Sequence, residues 1–229
     1  MAEFREAETV DLWTLPIDVP QDWLDGGDGD LGAADLTRIR GAVTPQKQRQ
    51  ASLTWQAMVR MHYRGAEQGS ARHGPRLSIS HSAHWILIAA SCAGRIGVDI
   101  ERRRPIRCLE TLACRFFSAE EIEGFQAVDE IEREAAFFRT WVRKEAYLKA
   151  VDAGVGVPAG LRRFAVSVTP DHPAIESTRL EPGDVSAFSL YDLDTPDGYV
   201  GALAVEGTGH RIRYYDRSHV KGEGVADRG

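Results

Sequence analysis

Two acidic side chains stand at the end of a short apolar segment, Ile96–Glu101, with the sequence IGVDIE. Asp99 and Glu101 are two positions apart, and side chains along a β-strand alternate between its two faces. If the segment is a strand, both carboxylates lie on one face and repel each other. Either a positive group between them relieves that repulsion, or water solvates both.

A second group of charged residues occurs in the segment 141–150, WVRKEAYLKA. On a helix, Trp141, Glu145 and Lys149 follow one another at intervals of four and therefore share one face. Glu–Lys pairs at this spacing are common on solvated helices, where each contributes about 0.2–0.5 kcal/mol. The apolar neighbours indicate instead that this part of the helix faces protein, where buried charges need partners.

The two groups together supply a set of oxygen ligands. Asp99, Glu101 and Glu145 would suit Mg²⁺, or Mn²⁺, and would not suit zinc. Magnesium is usually held by a few carboxylates together with phosphate groups of the substrate. Lys144 and Lys149 beside such an ion would contact phosphate oxygens. The sequence therefore predicts magnesium-dependent chemistry on a pyrophosphate.

A third polar segment, SISHSAHW at 78–85, places a Ser-His-Ser tripeptide where a strand ends. Hydroxyl and backbone N–H groups at such a turn could bind an anion, and the alternative is a turn with a surface histidine. His81 and His84 are three apart, which disfavours a shared metal because a strand would not bring them to one face. Arginines in the segment 101–107 could neutralise the nearby acids or dock an acidic partner.

The elements that would position these residues follow from the hydrophobic pattern. Apolar and polar residues alternate over 8–17 as in a half-buried strand, and Thr44-Pro45 begins a helix that continues to residue 64. Ala93-Gly94 predicts a tight hairpin between the last two of three short strands. These strands span 77–80, 84–92 and 95–101. The inner face of the helix is predicted to consist of Leu53, Ala57, Met58 and Met61.

The second half of the chain repeats this order of helices and strands. Ser118 and Glu121 form the Ser-x-x-Glu pattern of a helix start, and a second long helix is predicted over 129–152. We therefore expect an α+β fold of two similar lobes, each with helices packed on a small antiparallel sheet. The later strands are predicted at 163–168, 185–193, 199–207 and 211–216. The lobes are predicted to span 1–103 and 104–217, followed by a flexible tail, 218–229.

Composition restricts the classes of function. The chain has 229 residues, of which 43% are hydrophobic, and its net charge of −6 argues against a general nucleic-acid binder. The longest apolar run, 85–93, is too short to cross a bilayer, and no signal-peptide pattern begins the sequence, so no membrane association is expected. The three cysteines form no CxxC motif, and reduced thiols and a cytoplasmic location are expected.

Four segments resemble, in order and spacing, those of the Sfp-type 4′-phosphopantetheinyl transferases. The family's two signatures correspond to Ile96–Glu101 and to the WVRKEAYLK segment, 141–149, with Asp99 and Glu145 separated by 46 positions. The segment LSISHS is similar to the family's strand ending in Ser-His-Ser, and RFFSAEE to its Arg-Phe-Phe-Ser-x-x-Glu segment. The resemblance covers roughly residues 36–169.

The resemblance implies a pseudo-twofold fold with coenzyme A bound in the cleft between the two lobes. It implies that Asp99, Glu101 and Glu145 hold Mg²⁺ on the coenzyme A pyrophosphate. Lys149, helped by Lys144, would contact the same phosphates. Because two lobes of one chain supply a complete cleft, a monomer is expected.

On the adenosine side, the resemblance implies that His81, with Ser80 near it, binds the 3′-phosphate. Relatives commonly carry a Gly-Lys-Pro segment before this strand, whereas this chain reads HGPR, so Arg72 or Arg76 would replace the lysine. An early basic residue would reach the same phosphate, and Arg38 is chosen from four candidates: Arg38, Arg40, Lys47 and Arg49.

The implied reaction moves the 4′-phosphopantetheine arm of coenzyme A to a serine of an apo acyl or peptidyl carrier protein, releasing 3′,5′-ADP. Fatty-acid, polyketide and nonribosomal-peptide carriers are all compatible with it. The serine needs a base, for which Glu145 is the candidate, directly or through a metal-bound water, although metal ligation would make it a weak base. Two other functions are a magnesium-dependent phosphohydrolase and a non-catalytic coenzyme A-binding module.

Overall fold

A computed structural model describes most of the chain. The described residues are 9–17, 75–92, 94–151, 160–180 and 183–215, together with residues 44, 46, 51, 53, 55, 56 and 59. Arg38 and the tail predicted over 218–229 lie outside the described residues, as do Ala57, Met58, Met61, Arg72 and the other early basic candidates.

Nine short strands and three helices lie wholly within the described residues, and residues 46, 51, 53, 55, 56 and 59 belong to a further helix. The strands of the first half are β1 (Thr9–Pro16), β2 (Arg76–Ser82), β3 (Trp85–Ser91) and β4 (Ile96–Arg102). The helices are α1 (Leu109–Phe116), α2 (Ala119–Ala127) and α3 (Arg133–Val151), with a 3₁₀ turn, Glu130–Glu132, before α3. The later strands are β5 (Phe164–Val166), β6 (Ile175–Thr178), β7 (Phe188–Asp192), β8 (Tyr199–Glu206) and β9 (Arg211–Tyr215), with a second 3₁₀ turn, Val185–Ala187, before β7.

The strands form two main sheets and one small strand pair. The first sheet has the order β2-β3-β1-β9, and the second has the order β4-β8-β7. All neighbours in them are antiparallel except β1 and β9, which run parallel. Strands β5 and β6 pair separately. The predicted α+β class, with helices and small, mainly antiparallel sheets, is confirmed.

The predicted hairpin between β3 and β4 is wrong. The tight hairpin lies one strand earlier, where Ser82 is paired with Trp85 and the two residues between them form the turn. Ala83 has φ of 47° there, in the left-handed region that such two-residue turns use. After β3 the chain leaves the first sheet, and β4 pairs with β8 in the second. The division at residue 103 stays a prediction, and the pairings of β4 with β8 and of β9 with β1 both cross it.

The inner face of the first helix is also corrected. Leu53 is 63% exposed, whereas Ala51, Trp55 and Val59 are buried. These three follow at intervals of four, and therefore form one stripe that packs on the first sheet. The indole N–H of Trp55 donates to the carbonyl oxygen of Pro16 at 3.0 Å.

Helix α3 packs on the second sheet and joins it to the surrounding elements. Its apolar residues Val142, Ala146 and Tyr147 share one core with residues of β7 and β8. The helix begins at Arg133, four residues later than predicted, because a 3₁₀ turn precedes it. In the described residues, no helix is long and apolar enough to span a membrane.

Candidate active site

Strand β4 holds Asp99 and Glu101, whose side chains both meet serine hydroxyls of β2. Ser80 Oγ lies 2.6 Å from Asp99 Oδ1, and Ser82 Oγ lies 2.8 Å from Glu101 Oε2. Asp99 is buried and Glu101 is half-buried. The prediction that the two acids lie on one face of a strand is confirmed, since both belong to β4 and are two positions apart.

Helix α3 brings a cation to these acids. Lys149 Nζ lies 2.8 Å from Asp99 Oδ1, and it also donates to the carbonyl oxygen of Val98 at 2.9 Å. A positive group therefore does sit beside the paired carboxylates, which answers the first question raised by the sequence. It comes from the second charged segment, so the structure joins the two segments at one place.

Gly97 allows the helix to lie this close to β4. A Cβ atom at this position would clash with the carbonyl oxygen of Ala146 and the backbone nitrogen of Ala150. Both are helix backbone atoms, which cannot move aside as a side chain can. A residue with a side chain would push α3 away and separate Lys149 from Asp99.

Two carboxylate oxygens in this site are buried and have no hydrogen-bond partner among the described residues. They are Asp99 Oδ2 and Glu145 Oε1. Burial and then the charge of Asp99 raise the pKa of Glu145 to about 6, although the charge of Lys149 opposes the shift. Burial likewise raises the pKa of Glu101, against the hydrogen bond from Ser82. The site has more negative charge than Lys149 neutralises.

These features fit a hard divalent cation. Asp99, Glu101 and Glu145 offer only oxygen, the donor that Mg²⁺ and Mn²⁺ prefer, and two of the three have an oxygen that no described residue satisfies. Over the described part of the chain, no three His, Cys, Asp or Glu side chains are already gathered as a metal site. Without a cation between them, like-charged carboxylates repel each other and stay apart. This agrees with the unsatisfied oxygens and with the lack of a gathered metal site in the described residues.

Lys144, which was predicted to contact substrate phosphates, does not lie beside the carboxylates. Its side chain is fully buried on the other side of α3, where Nζ lies 2.6 Å from each carboxylate oxygen of Glu121. Nζ also donates to the carbonyl oxygen of Phe164 at 2.9 Å. Neighbouring residues on a helix point about 100° apart, so Lys144 and Glu145 face different surroundings.

The structure separates the residues predicted for the adenosine side. Ser80 faces β4 and donates to Asp99, whereas the adjacent His81 is exposed, because alternate residues of a strand face opposite ways. Arg76 begins β2, about 13 Å along the strand from Ser80 at about 3.3 Å per residue.

An apolar groove adjoins the carboxylates. It has a volume of about 180 Å³, and Glu101 and Arg104 are its charged residues. Trp141 stacks on Phe137 with ring centroids 6.2 Å apart and meets Phe116 edge-on at 5.2 Å. The remaining lining residues are Ile106, Leu112 and Phe138. Trp141 was expected to share a face with Glu145, and it lines this groove beside the carboxylate site.

Some structural roles were missed in the sequence. The signal for Gly97 was a glycine inside an apolar strand, which often marks close approach of another backbone. The signal for the β2 hydroxyls was the alternation of Ser78, Ser80 and Ser82. The capping box of Ser118 and Glu121 is confirmed, but no local pattern indicated that Glu121 would also bind Lys144.

Comparison with known proteins gives a consistent result. The 4′-phosphopantetheinyl transferase superfamily matches residues 95–204, which contain both β4 and α3. The chain is 30% identical to the 4′-phosphopantetheinyl transferase HetI of Nostoc sp., over 91% of this chain and 92% of the relative. It is 36% identical to the transferase psf-1 of Bacillus pumilus, over 42% of this chain and 40% of the relative. It is 37% identical to Sfp of Bacillus subtilis, over 41% and 40% respectively.

Proposed function

The chain belongs to the 4′-phosphopantetheinyl transferase superfamily, and we propose that its reaction takes place where β4 and α3 meet. The protein is a transferase that moves the 4′-phosphopantetheine arm of coenzyme A to a serine of an apo carrier protein. Near full-length similarity to one transferase supports this activity more strongly than any single motif.

The observation that carries the assignment of the site is a pair of buried oxygens, Asp99 Oδ2 and Glu145 Oε1, that have no hydrogen-bond partner among the described residues. Buried carboxylate oxygens without partners are costly unless a ligand satisfies them. We assign Asp99, Glu101 and Glu145 to Mg²⁺, with Mn²⁺ as a substitute. The bound ion would neutralise charge on the coenzyme A pyrophosphate and orient it.

Lys149 is proposed to contact the phosphates. Its ammonium is already at the site, 2.8 Å from Asp99, and its side chain is 30% exposed, so a substrate can reach it. A compact point charge of this kind suits a phosphate oxygen. Lys149 would therefore bind the pyrophosphate and stabilise charge on the departing 3′,5′-ADP.

Glu145 is proposed to accept the proton of the carrier serine. The serine oxygen forms a bond to the β-phosphorus, the bond from that phosphorus to the bridging oxygen breaks, and 3′,5′-ADP leaves with the electron pair. Burial and the charge of Asp99 raise the pKa of Glu145 to about 6 without a cation, and a bound cation would lower it, so Glu145 would act as an ionised carboxylate at neutral pH. A carboxylate has two oxygens, so one can face the cation while the other takes the proton.

The remaining substrate contacts are assigned by position. His81 is exposed near the end of β2, between Ser80 and Ser82 in the sequence, and is proposed for the 3′-phosphate together with Arg38. Arg76 is not included, because it lies at the far end of β2. The apolar groove shares Glu101 with the site, and we propose that the apo carrier docks there, with its acidic surface near Arg104.

The experiment that tests this function is incubation with coenzyme A, Mg²⁺ and several unrelated apo carriers, followed by mass spectrometry of the carrier. The expected result is a gain of one phosphopantetheinyl group. The Asp99→Asn variant should lose about a thousandfold or more in rate, equivalent to about 4 kcal/mol of transition-state stabilisation. Asp171→Asn, which changes an exposed acid, is the matched control and should transfer normally.

Three results would contradict the proposal. If the carriers stayed unmodified and coenzyme A stayed intact, the result would favour a non-catalytic coenzyme A-binding module. Release of phosphate without carrier modification would favour a phosphohydrolase. Normal transfer by Asp99→Asn would place the reaction elsewhere in the molecule.

A further inference from the structure

We propose that Ser80 and Ser82 are positioning residues that determine which oxygens of Asp99 and Glu101 are available to the cation. This inference rests on the proposed function of the carboxylate site. It gives Ser80 a different role from the substrate contact predicted from the sequence, because its hydroxyl is directed at Asp99.

The two serines belong to a line of contacts between the two main sheets. Strand β2 is an edge of the first sheet and β4 is an edge of the second, and no sheet pairing joins them. Side chains make the connection instead, on the face of β2 that carries Ser78, Ser80 and Ser82. We call these three residues the serine seam.

Each member of the serine seam makes a different contact with β4. Ser78 Oγ accepts from the backbone N–H of Val98 at 3.0 Å. Ser80 Oγ donates to Asp99 Oδ1 at 2.6 Å, and Ser82 Oγ donates to Glu101 Oε2 at 2.8 Å. Ser82 also accepts from the backbone N–H of Arg102 at 3.0 Å. Only two of the three serines touch a carboxylate.

The hydrogen bonds distinguish the two oxygens of Asp99. Its Oδ1 receives both the Ser80 hydroxyl and the Lys149 ammonium, whereas Oδ2 is buried and receives no hydrogen bond from the described residues. A hydroxyl has a single proton, so Ser80 can donate to only one oxygen of the carboxylate at a time. With Lys149 on the same oxygen, this bond fixes the rotation of the Asp99 carboxylate as well as its position. Oδ2 is therefore directed away from β2 and left available for a ligand.

Ser82 acts on Glu101 in the same way. The N–H of Arg102 occupies one lone pair of the Ser82 oxygen, which orients the hydroxyl proton toward Glu101 Oε2. The longer glutamate side chain has more rotatable bonds to restrain, and burial already raises the pKa of its carboxyl group. Loss of such a hydrogen bond to a metal ligand typically weakens metal affinity about 10- to 100-fold.

The test is titration of the purified protein with Mn²⁺, with free Mn²⁺ followed by electron paramagnetic resonance, in the absence of coenzyme A and carrier. Ser80→Ala should raise the Mn²⁺ dissociation constant at least about tenfold. Ser80→Thr, which keeps the hydroxyl, should restore most of the affinity. Ser78→Ala is the matched control, because it removes a seam contact with β4 without touching a carboxylate, and its Mn²⁺ affinity should stay within twofold of the wild type, on the order of experimental scatter.

Thermal unfolding of the same proteins separates positioning from stability. Ser78→Ala and Ser80→Ala should lose similar amounts of stability, yet only Ser80→Ala should lose Mn²⁺ affinity. Equal Mn²⁺ affinities in these two variants, or no Mn²⁺ binding by the wild type, would overturn the inference. Since no carrier is present, the result does not depend on whether carriers are modified, and failure of the proposed function would be seen separately in the transfer assay.

Discussion

Lys144 and Glu145 are adjacent in α3 but face two different polar clusters. The clusters differ in how fully their charged groups are paired. Around Lys144 the charged groups are paired: Nζ donates hydrogen bonds to both carboxylate oxygens of Glu121 and to the carbonyl oxygen of Phe164. Glu121 also accepts from the backbone N–H groups of Ser118 and Val166 at 2.7 and 2.8 Å. Around Glu145, by contrast, one oxygen of Glu145 and one of Asp99 are buried without a hydrogen-bond partner among the residues that the structure describes.

The difference is also visible in the pKa values. Burial lowers the pKa of Lys144 and raises that of Glu121, and in each case the partner's opposite charge opposes the shift. For Glu145 the charge of Asp99 acts in the same direction as burial. A buried charge with a complete set of partners stabilises a structure, whereas a buried charge without one leaves binding capacity for a ligand.

Arg143, next to Lys144 in α3, is also buried and paired. Arg143 is fully buried, donates to both oxygens of Asp192 at 2.8 and 2.6 Å, and donates to the carbonyl oxygens of Ser167 and Thr169. Two consecutive residues thus anchor α3 on the side away from β4. The direction in which Glu145 points follows from these anchors.

The largest effect on stability is expected from Lys144→Met. Leaving Glu121 buried without its partner should cost about 3 kcal/mol or more in the free energy of unfolding, measured by urea denaturation. Transfer activity of the remaining folded protein should change little, since Lys144 does not reach the carboxylate site. Lys149→Met on the same helix is the matched comparison: because the Lys149 side chain is 30% exposed whereas that of Lys144 is fully buried, it should lose less stability than Lys144→Met while losing transfer.

The proposed difference between the two clusters would be contradicted if Lys144→Met lost transfer activity while it kept full stability. Lys144 would then act on substrate, as the sequence first suggested. The double variant Glu121→Gln with Lys144→Met sharpens the test. It removes both charges and should recover part of the stability lost by the single variant.

A smaller effect is expected from Gly97→Ala, which acts between the two clusters. Its Cβ would meet the backbone of Ala146 and Ala150, so α3 must shift, at a cost of about 1–3 kcal/mol in stability. Transfer should fall further than the folded fraction does, because the shift moves Glu145 and Lys149 away from Asp99. Stability is measured by urea denaturation and transfer by carrier mass.

Gly124→Ala in α2 is the control for this variant. Its Cβ would make only ordinary contact with Val168, 3.4 Å away, so the substitution should stabilise the helix by about 0.5–1 kcal/mol. If Gly97→Ala were equally harmless, the close approach of β4 and α3 would not be what assembles the site.

The sequence predicted the carboxylate site better than it predicted the sheets. Spacing paired Asp99 with Glu101 and Glu145 with Lys149, because the periods of strands and helices are local properties. Joining the two pairs rested on their shared oxygen-ligand chemistry and on the family resemblance. The partner of β4 could not be predicted in this way. Any apolar strand near a glycine turn is compatible with a hairpin, and only packing of the whole chain selects β8, about a hundred positions later.

The role of Lys144 likewise could not be predicted from local sequence periods. Its position beside Glu145 suggested a shared function, and its pairing with Glu121 depends on α2 folding against α3. Contacts between distant segments determine which side of a helix is buried, and no local period encodes them. Ser80 was placed near the site for the same local reasons, but its bond to Asp99 requires two different sheets to meet.

The smallest effect concerns pH and Glu145. Its pKa is raised from 4.5 to about 6 in the folded protein, so between these values the folded state binds more protons than the unfolded state. Stability therefore falls as pH rises through this window, and the full penalty is present above pH about 6. Because Glu145 is only partly buried and solvent screens part of its charge, the penalty should be no more than about 1 kcal/mol.

Glu145→Gln should remove this penalty, so the variant should gain stability relative to the wild type as pH rises from 4.5 to about 7. The measurement is urea denaturation at several pH values with a chelator present, and exposed Glu123→Gln should run parallel to the wild type. Adding Mg²⁺ should stabilise the wild type more than Glu145→Gln, because a cation relieves the repulsion among the acids. Parallel pH profiles for Glu145→Gln and the wild type would mean that this cluster is as well neutralised as the one around Lys144.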